Sequence, residues 1–391
     1  MTAADMKQKE ANYVMHTYGR FDIALDHGEG ATLWDVDGKK YIDMTSGIGV
    51  NSLGHGNEKL VKAVSDQAAK LMHASNLYYT APMADVAEML IAKTGMGKIF
   101  FANSGAEANE GAIKLARKYS FDKYGEGRNK IVTLIQSFHG RTVTTLKATG
   151  QEKFLQYFFP FTEGFAYAAA GDLEDLKAKA DGACAVMLEM IQGEGGVLPL
   201  SKEFVKGVET FCKENDILLI VDEVQTGIGR TGSLFCYEQY DIQPDVVTMA
   251  KGLGGGLPVG GVMASVKCAD VLGPGTHGST FGGNPVSCAA AKVVLSEVGT
   301  EEFLASVKEK GEYLKKEIMA IGSPNVKDVR GMGLMLGIVV DPEKRAEMVS
   351  ALMDKGILVL TAGKEAIRLL PPLVISYEEM NEAIAAMKEV F

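Results

Sequence analysis

Short apolar runs that stop at a charge or at a glycine-rich loop recur through the middle of the chain. Apolar runs without polar alternation are typical of strands buried on both faces of a sheet. They predict strands at 98–102, 130–136, 164–169, 184–190, 217–221, 245–250 and 260–266. Helical spacing between these runs predicts helices near 104–119, 172–180, 202–215 and 284–298. The alternation indicates an α/β fold, in which a mostly parallel seven-stranded sheet has helices on both faces.

The two ends of the chain have a different pattern. Residues 1–30 show little periodicity and are expected to form an arm, after which Asp37 and Gly38 predict a hairpin turn. Helices are expected at 57–72 and 82–94. Beyond Gly299 the pattern predicts a helix at 301–321, a strand at 334–340, a helix at 343–355, strands at 357–360 and 366–370, and a last helix with a capping box of Ser376 and Glu379.

These patterns divide the chain into three parts. Residues 1–56 are expected to form an N-terminal arm and small sheet that packs with the C-terminal domain. Residues 57–298 are expected to form a large α/β domain, and residues 299–391 a small C-terminal α+β domain. A length of 391 residues agrees with about two domains, because single cores stop growing near 250–300 residues.

Composition and charge argue against several classes of protein. The chain is 47% hydrophobic and 23% charged, as globular proteins are, and no apolar run reaches the ~20 residues that span a bilayer. The five cysteines contain no C-x-x-C pair and the six histidines no H-E-x-x-H pair, so neither disulfides nor a metal site is expected. The first ten residues are polar and charged and contain no apolar core of a signal peptide, which favours a cytoplasmic location. The net charge of −10 argues against nucleic-acid and membrane partners.

Two of the predicted central strands end on a single charged side chain. Asp222 follows the run 217–221, and Lys251 follows the run 245–250 and precedes a glycine-rich loop. Open α/β sheets bind their ligands at the carboxyl ends of the strands. A lysine at the end of a buried strand is partly desolvated, which favours the neutral, nucleophilic amine. A structural salt bridge for Asp222 and an exposed surface amine for Lys251 are the alternatives.

The strand at 98–102 leads into a helix that offers a phosphate site. Ser104 and Glu107 fit a capping box, and the free N–H groups of Gly105 and Ala106 would form a cradle for an anion. An ordinary helix cap is the alternative.

Two further loops follow predicted strands. Phe138 could stack on a planar cofactor and Arg141 could bind a carboxylate, whereas His139 is expected to be a packed, hydrogen-bonded histidine. Glu189 and Glu194 could act as an acid–base pair. Alternatively, they neutralise an arginine, with Arg141 and Arg368 as the candidates.

Nucleotide-binding classes lack their motifs in this chain. The acidic end of the run 217–221 resembles the metal-binding strand of a P-loop NTPase, but no G-x-x-x-x-G-K-[ST] occurs. Residues 227–232 match G-x-G-x-x-G formally. They stand too far behind the strand and precede no clear amphipathic helix, so a dinucleotide site is not expected.

The remaining combination describes a site for pyridoxal 5'-phosphate. It contains a phosphate cradle, a stacking aromatic, an acid for a ring nitrogen and a lysine for an aldehyde. Asp222 would keep the pyridine nitrogen protonated, so that the ring accepts electrons from the substrate. Lys251 would bind the aldehyde covalently and then move a proton as the base.

The motifs resemble those of class III (ω-amino acid) aminotransferases, which are fold-type I pyridoxal-phosphate enzymes, over nearly the whole chain. They are NSGAEANE at 103–110, FHGRT at 138–142, DEVQTG at 222–227, KGL at 251–253 and HGSTFGGNP at 277–285. GIGVNSLGH at 47–55 and ATGQ at 148–151 are similar to acetylornithine aminotransferases within that class. The resemblance implies that residues 57–298 form the cofactor-binding domain.

The resemblance implies roles around the cofactor. Lys251 matches the lysine that binds the aldehyde, Asp222 the partner of the ring nitrogen, and Gln225 the group near the ring hydroxyl. Phe138 and Val224 match the two faces of a sandwich around the ring. The phosphate cup corresponds to Ser104, Gly105 and Ala106. Ala106 stands where many relatives have threonine, and Met190 and Asn57 stand where proline is common.

The resemblance also implies substrate-binding residues and an obligate homodimer with shared active sites. Thr280 matches a residue that reaches the phosphate of the neighbouring subunit, and Ser279 lies beside it near the substrate. Arg141 matches the clamp on the substrate's α-carboxylate. Arg368 matches a second carboxylate-binding arginine, which Glu194 covers when a monocarboxylate end enters.

The activity implied by the resemblance is transfer of the ω-amino group of N2-acetyl-L-ornithine to 2-oxoglutarate. The products are N-acetyl-L-glutamate 5-semialdehyde and L-glutamate, a step of arginine biosynthesis. Ornithine, succinylornithine, acetyl-lysine, putrescine and 4-aminobutyrate are alternative amino donors. Racemisation and decarboxylation are less favoured reactions, because two carboxylate-binding arginines suit transamination better. A catalytically silent, pyridoxal-phosphate-binding regulatory protein is the alternative outside the enzymes.

Overall fold

A seven-stranded sheet forms the centre of the molecule, and the computed structural model describes the whole chain, residues 1–391. Its strands follow the order Lys98–Ala102, Gly260–Ala264, Val246–Met249, Leu218–Asp222, Ala183–Leu188, Lys130–Leu134 and Phe165–Ala168. Only Gly260–Ala264 runs against its neighbours. The other six strands share one direction. The predicted mostly parallel sheet is therefore confirmed.

Both faces of this sheet are covered. Alternate residues of a strand point to opposite faces. Leu219 and Val221 belong to a cluster of 70 buried apolar residues, whereas Leu218 and Ile220 belong to a second cluster of 17. The continuous apolar runs in the sequence arise because each strand must fill both clusters.

Thirteen α-helices are distributed along the chain. They are Ala3–Tyr13, Ser46–Gly49, Glu58–Lys70, Ala81–Thr94, Gly105–Tyr124, Val143–Ala148, Leu173–Lys179, Gly193–Gly196, Lys202–Glu214, Pro285–Val298, Glu301–Ala320, Arg345–Asp354 and Tyr377–Val390. Three short 3-10 helices are Glu152–Phe154, Cys236–Tyr240 and Lys251–Gly254. None of the helices combines the length and the apolar character that a membrane crossing requires.

Two predicted capping boxes have different outcomes. At the last helix the box is confirmed, because Ser376 Oγ accepts from Glu379 N (3.1 Å) while Ser376 N donates to Glu379 Oε2 (2.8 Å). At Gly105–Tyr124 only half of it forms. Ser104 Oγ accepts from Glu107 N (3.2 Å), but the Glu107 carboxylate accepts from Asn103 N (2.6 Å) instead of Ser104 N.

Two smaller sheets flank the large one. The first contains Leu25–Glu29, Thr32–Asp35, Lys40–Asp43 and Ile357–Leu358. The second contains Val326–Met332, Met335–Val340, Ala366–Leu369 and Leu360–Ala362. The expected hairpin at Asp37 and Gly38 is confirmed, whereas the strand expected at 357–360 is divided between the two sheets. Ile191–Gln192 also pairs with Leu198–Pro199. The three-part division of the chain stays a prediction.

Three elements towards the ends of the chain were not predicted, and all three lack a strong apolar pattern. Residues 1–30 contain the helix Ala3–Tyr13 and the strand Leu25–Glu29 instead of an arm without regular structure. The helix buries none of its residues, so no apolar stripe marks it. The strand Val326–Met332 lies at an edge of its sheet and buries only Val329.

Candidate active site

A cavity of about 430 Å³ lies where the parallel strands of the large sheet end. The loops after Lys98–Ala102, Lys130–Leu134, Leu218–Asp222 and Val246–Met249 each supply part of its wall. Ten of the predicted site residues line it, namely Ser104, Gly105, Ala106, Phe138, Arg141, Glu194, Asp222, Val224, Gln225 and Lys251. Residues up to 147 positions apart in sequence meet there because parallel strands present their carboxyl ends at one edge.

Asp222 is buried in a fixed network of hydrogen bonds. Its carboxylate accepts from Asn109 Nδ2 (2.8 Å), from His139 Nδ1 (2.8 Å) and from Val224 N (3.0 Å). Burial lowers the pKa of His139, but the hydrogen bond to Asp222 outweighs it and the pKa is raised overall. A hydrogen-bonded pair of His139 and Asp222 therefore stands in the wall of the cavity. The packed histidine expected at 139 is confirmed, whereas Asn109, although part of the motif at 103–110, was given no role from the sequence.

Lys251 stands at the end of Val246–Met249 in a strained backbone conformation. Its φ of +40° lies in the left-handed region, which residues with a side chain rarely adopt. Burial, helped by the positive charge of Arg368, lowers the pKa of the Lys251 amine to about 8. The surface amine considered as an alternative is therefore not what this fold contains. About a tenth of the amine is therefore neutral at pH 7, far more than for an ordinary lysine.

The start of the helix Gly105–Tyr124 forms one wall of the cavity. N–H groups in the first turn of a helix have no partner within the helix, and they attract anions. Gly105 leaves no room for a side chain, because a Cβ there would lie 2.6 Å from Val224 Cγ1. Glycine at this position therefore keeps both the helix start and the Val224 wall in place.

Gly105→Ala should weaken cofactor binding. The added methyl must displace Val224, and such overpacking costs about 1–3 kcal/mol. We expect the dissociation constant of pyridoxal 5'-phosphate from the apoprotein to rise roughly tenfold, measured by fluorescence titration. Gly273→Ala is the matched control, because a Cβ at that glycine meets no atom within 4 Å. Equal cofactor affinities for the two variants would contradict the conclusion that Gly105 is needed to leave room for Val224.

The two acids after the strand Ala183–Leu188 lie in different environments. Burial raises the pKa of Glu194, but the adjacent Arg368 guanidinium outweighs it and lowers the pKa overall. The Glu194 Oε1 atom accepts from Arg368 at 2.6 Å, and Gln225 Oε1 accepts from the same guanidinium at 3.1 Å. Glu189 is buried without an arginine, and burial raises its pKa to about 7. Neutralisation of Arg368 by Glu194 is therefore the alternative that the fold adopts.

Arg141 is exposed at the mouth of the cavity and takes part in no ion pair within 4 Å. Its guanidinium carbon lies 5.4 Å from the ring centroid of Phe138 and 4.2 Å from that of Phe154. Phe154 belongs to no motif in the sequence. Of the two arginines considered as partners for an acid, Arg141 is thus the one left open to a ligand.

Ser279 and Thr280 lie outside the wall of the cavity. Ser279 Oγ accepts from Asn103 Nδ2 (3.1 Å) and from Gly282 N (3.0 Å), so it is one contact away from the cavity. Thr280 is exposed on the surface of the same loop. Neither residue meets the other site residues within this one chain.

The glycine-rich loop 227–232 supplies a structural contact. Arg230 is fully buried in it, and its guanidinium donates to the carbonyl oxygens of Leu334 (3.1 Å) and Pro371 (2.5 Å). The loop therefore joins the strand that ends at Asp222 to the C-terminal part of the chain. This contact gives Arg230 a structural role that requires no nucleotide.

The residues of the cavity fit pyridoxal 5'-phosphate. The Asp222 side chain, an amine with a lowered pKa and a helix start stand around one space, with Phe138 and Val224 on its walls. A family model for class-III aminotransferases matches residues 13–391. An acetylornithine aminotransferase from Haemophilus ducreyi is 50% identical, with 100% of this chain and 99% of the relative covered.

Similar solved structures are also aminotransferases. The chain superimposes on an ornithine aminotransferase from Toxoplasma gondii with a TM-score of 0.95 at 30% identity, covering 100% of this chain and 95% of that one. For an N-acetylornithine aminotransferase from Stenotrophomonas maltophilia the TM-score is 0.85 at 35% identity, covering 98% and 97%. The predicted family, cofactor and fold type are confirmed. The chain belongs to the class-III aminotransferases and is a pyridoxal-phosphate-dependent transaminase.

Proposed function

We propose that this transaminase moves the ω-amino group of N2-acetyl-L-ornithine to 2-oxoglutarate, as a step of arginine biosynthesis. The observation that carries the proposal is the contrast between two arginines near Lys251. Arg141 is open to a carboxylate, whereas Glu194 covers Arg368 at 2.6 Å. The donor brings one carboxylate, which suits Arg141 alone. The acceptor brings two, so its second carboxylate would displace Glu194 from Arg368.

The chemistry is divided between the cofactor and the chain. Bound pyridoxal 5'-phosphate supplies an aldehyde for the amino group and a ring that accepts electrons from the substrate carbon. Lys251 Nζ, neutral in part because of its lowered pKa, accepts the proton from the carbon that carries the transferred amino group. Asp222 would hold a proton at the ring nitrogen, and its hydrogen bonds to Asn109 and His139 fix the orientation of its carboxylate.

The other contacts position the cofactor. Ser104, Gly105 and Ala106 would donate hydrogen bonds to the phosphate from the helix start. Phe138 and Val224 would hold the two faces of the ring. Gln225 would lie near the ring hydroxyl, where its contact with Arg368 links cofactor and substrate binding.

A homodimer completes the proposed site. Thr280 is exposed and lies outside its own cavity, so it would reach the phosphate of a second subunit. The nearby side chains of Leu77, Tyr78, Tyr79 and Phe281 are exposed and apolar, as an uncovered interface would be. Light scattering should give twice the chain mass of 41.8 kDa. A monomer with full activity would overturn this proposal.

A cytoplasmic location accompanies the proposed function. All five cysteines are buried and free, which suits a reducing compartment. The substrates are small, water-soluble amino and keto acids.

Reaction of the apoprotein with the cofactor's aldehyde should depend on pH. Only the neutral Lys251 amine is nucleophilic, and its pKa is about 8. We expect the rate to rise as pH increases from 6 and to level off above about 9, with a midpoint near 8, in stopped-flow absorbance. A midpoint near the ordinary lysine value of about 10.4 would show that the amine is not desolvated.

A panel of amino donors tests the substrate assignment. Purified enzyme is assayed with 2-oxoglutarate and with N2-acetylornithine, ornithine, succinylornithine, acetyl-lysine, putrescine or 4-aminobutyrate. N2-acetylornithine should have the highest kcat/KM. The similar structure from Toxoplasma gondii is an ornithine aminotransferase, so ornithine is the main competing donor. A clear preference for ornithine would show that the proposed donor is wrong, but the reaction would still be a transamination.

A further inference from the structure

We propose that Phe154 is a positioning residue for the carboxylate clamp, because its ring holds the Arg141 guanidinium in place. The inference rests on the proposed function, in which Arg141 binds the donor's α-carboxylate. Arg141 is otherwise a long, exposed side chain without an ion pair, and such a side chain loses much rotamer entropy when it binds a ligand. A clamp needs a fixed orientation, and Phe154 is the group that supplies it.

The contacts around Arg141 form an aromatic corner, which consists of Phe138, Phe154 and the guanidinium between them. The guanidinium carbon lies 4.2 Å from the Phe154 centroid and 5.4 Å from the Phe138 centroid. The two rings meet edge to face, with centroids 5.9 Å apart and planes at 73°. This geometry is favourable for two aromatic rings, and a guanidinium over a ring face gains cation–π attraction. Both contacts leave the N–H groups of Arg141 free for a carboxylate.

The segment that carries Phe154 is itself attached to the loop that carries Phe138. Gln136 N donates to Gly150 O (2.7 Å) and Gly150 N donates to Ser137 Oγ (3.0 Å). Gln151 Nε2 donates to Ser137 O (2.9 Å). These bonds give a physical role to the ATGQ motif at 148–151, which no catalytic step uses. They place Phe154 at a fixed distance from the wall of the cofactor cavity.

Lys153 is the one other cation at this ring, with Nζ 4.8 Å from the Phe154 centroid. Because it neighbours Phe154 in sequence, its amine can leave for solvent without moving the ring. Arg141 comes from a separate loop, so its contact with Phe154 is the one that fixes one segment against another.

The test measures ligand binding to the holoenzyme by calorimetry, without turnover. N-acetyl-L-norvaline is the donor without its ω-amino group, and N-butylacetamide is the same molecule without the carboxylate. We expect Phe154→Leu to weaken N-acetylnorvaline roughly threefold to tenfold, the range of a cation–π contact that is partly desolvated. Phe154→Tyr keeps the ring and should stay within twofold of the parent. N-butylacetamide should bind equally to all three proteins.

A double-mutant cycle separates positioning from pocket shape. If Phe154 acts through Arg141, the double variant Arg141→Gln with Phe154→Leu binds N-acetylnorvaline no more weakly than Arg141→Gln alone. The visible absorption of the bound cofactor should be the same in Phe154→Leu and the parent. Additive losses, or an equal loss for both ligands, would overturn the inference.

The two proposals fail in different ways. If Arg141→Gln leaves N-acetylnorvaline binding unchanged, the clamp itself is wrong and the proposed function loses its main support. If Arg141→Gln weakens binding but Phe154→Leu does not, the clamp stands and only the positioning role of Phe154 is wrong.

Discussion

Lys251→Met should reduce kcat for transamination by a factor of about 10⁴, because it removes the group that accepts the substrate proton. Methionine keeps a similar length and apolar volume at the end of the strand. We therefore expect the dimer and its melting temperature to be retained. The remaining contacts at Asp222 and the helix start should still bind the cofactor, but without a covalent bond to the protein. Kinetics with 2-oxoglutarate and N2-acetylornithine, together with mass spectrometry of the denatured protein, measure both effects.

Lys310→Met is the matched control for this variant. Lys310 is also partly buried with a lowered pKa, but its amine binds only the Leu373 carbonyl oxygen, at 3.2 Å. The kcat of Lys310→Met should stay within twofold of that of the parent enzyme. If Lys251→Met kept more than a few per cent of parental activity, Lys251 would not be the base.

Asp222→Asn should lower kcat by a factor of about 10³, within the range that mutation of a charge-stabilising group produces. The amide keeps the shape of the carboxylate but loses the negative charge that holds a proton at the ring nitrogen. The amide also disturbs its neighbours, because the carboxylate now accepts from both Asn109 and His139. KM should change much less than kcat, since Asp222 touches no substrate carboxylate.

Glu223→Gln is the control for the loss of a buried carboxylate. Glu223 is adjacent in sequence and equally buried, but it faces Thr226 and Tyr237 and does not line the cavity. Burial raises its pKa to about 7, so the amide resembles the neutral form. We expect kcat for this variant within threefold of the parent. An equal loss in both variants would mean that Asp222 acts through stability and not through charge.

Much of the large sheet could be predicted because its strands are buried on both faces. Leu218–Asp222 and Val246–Met249 are apolar except for Asp222 and Thr248. Because the two strands are parallel, Asp222 at the end of the first and Lys251 after the second had to lie at one edge. The exposed elements carried no such signal. The helix Ala3–Tyr13 buries no residue, so its sequence has no pattern that a core would impose.

The environment of each site residue could not be read from the sequence. Glu189 and Glu194 are five positions apart, yet the pKa of the first is raised to about 7 and that of the second is lowered. The difference comes from Arg368, which lies 174 positions beyond Glu194 and is brought to it by the C-terminal sheet. Phe154 and Asn109 were missed for the same reason, because their partners come from other segments.

One measurement tests the central account most directly. The holoenzyme is mixed with N2-acetylornithine alone, and 2-oxoglutarate is added afterwards. We expect the first mixing to release one equivalent of N-acetylglutamate semialdehyde per subunit and then stop, because the amino group stays on the enzyme. Addition of 2-oxoglutarate should then yield one equivalent of glutamate. Release of no semialdehyde in the first step, or of glutamate only when both substrates are present together, would contradict the account.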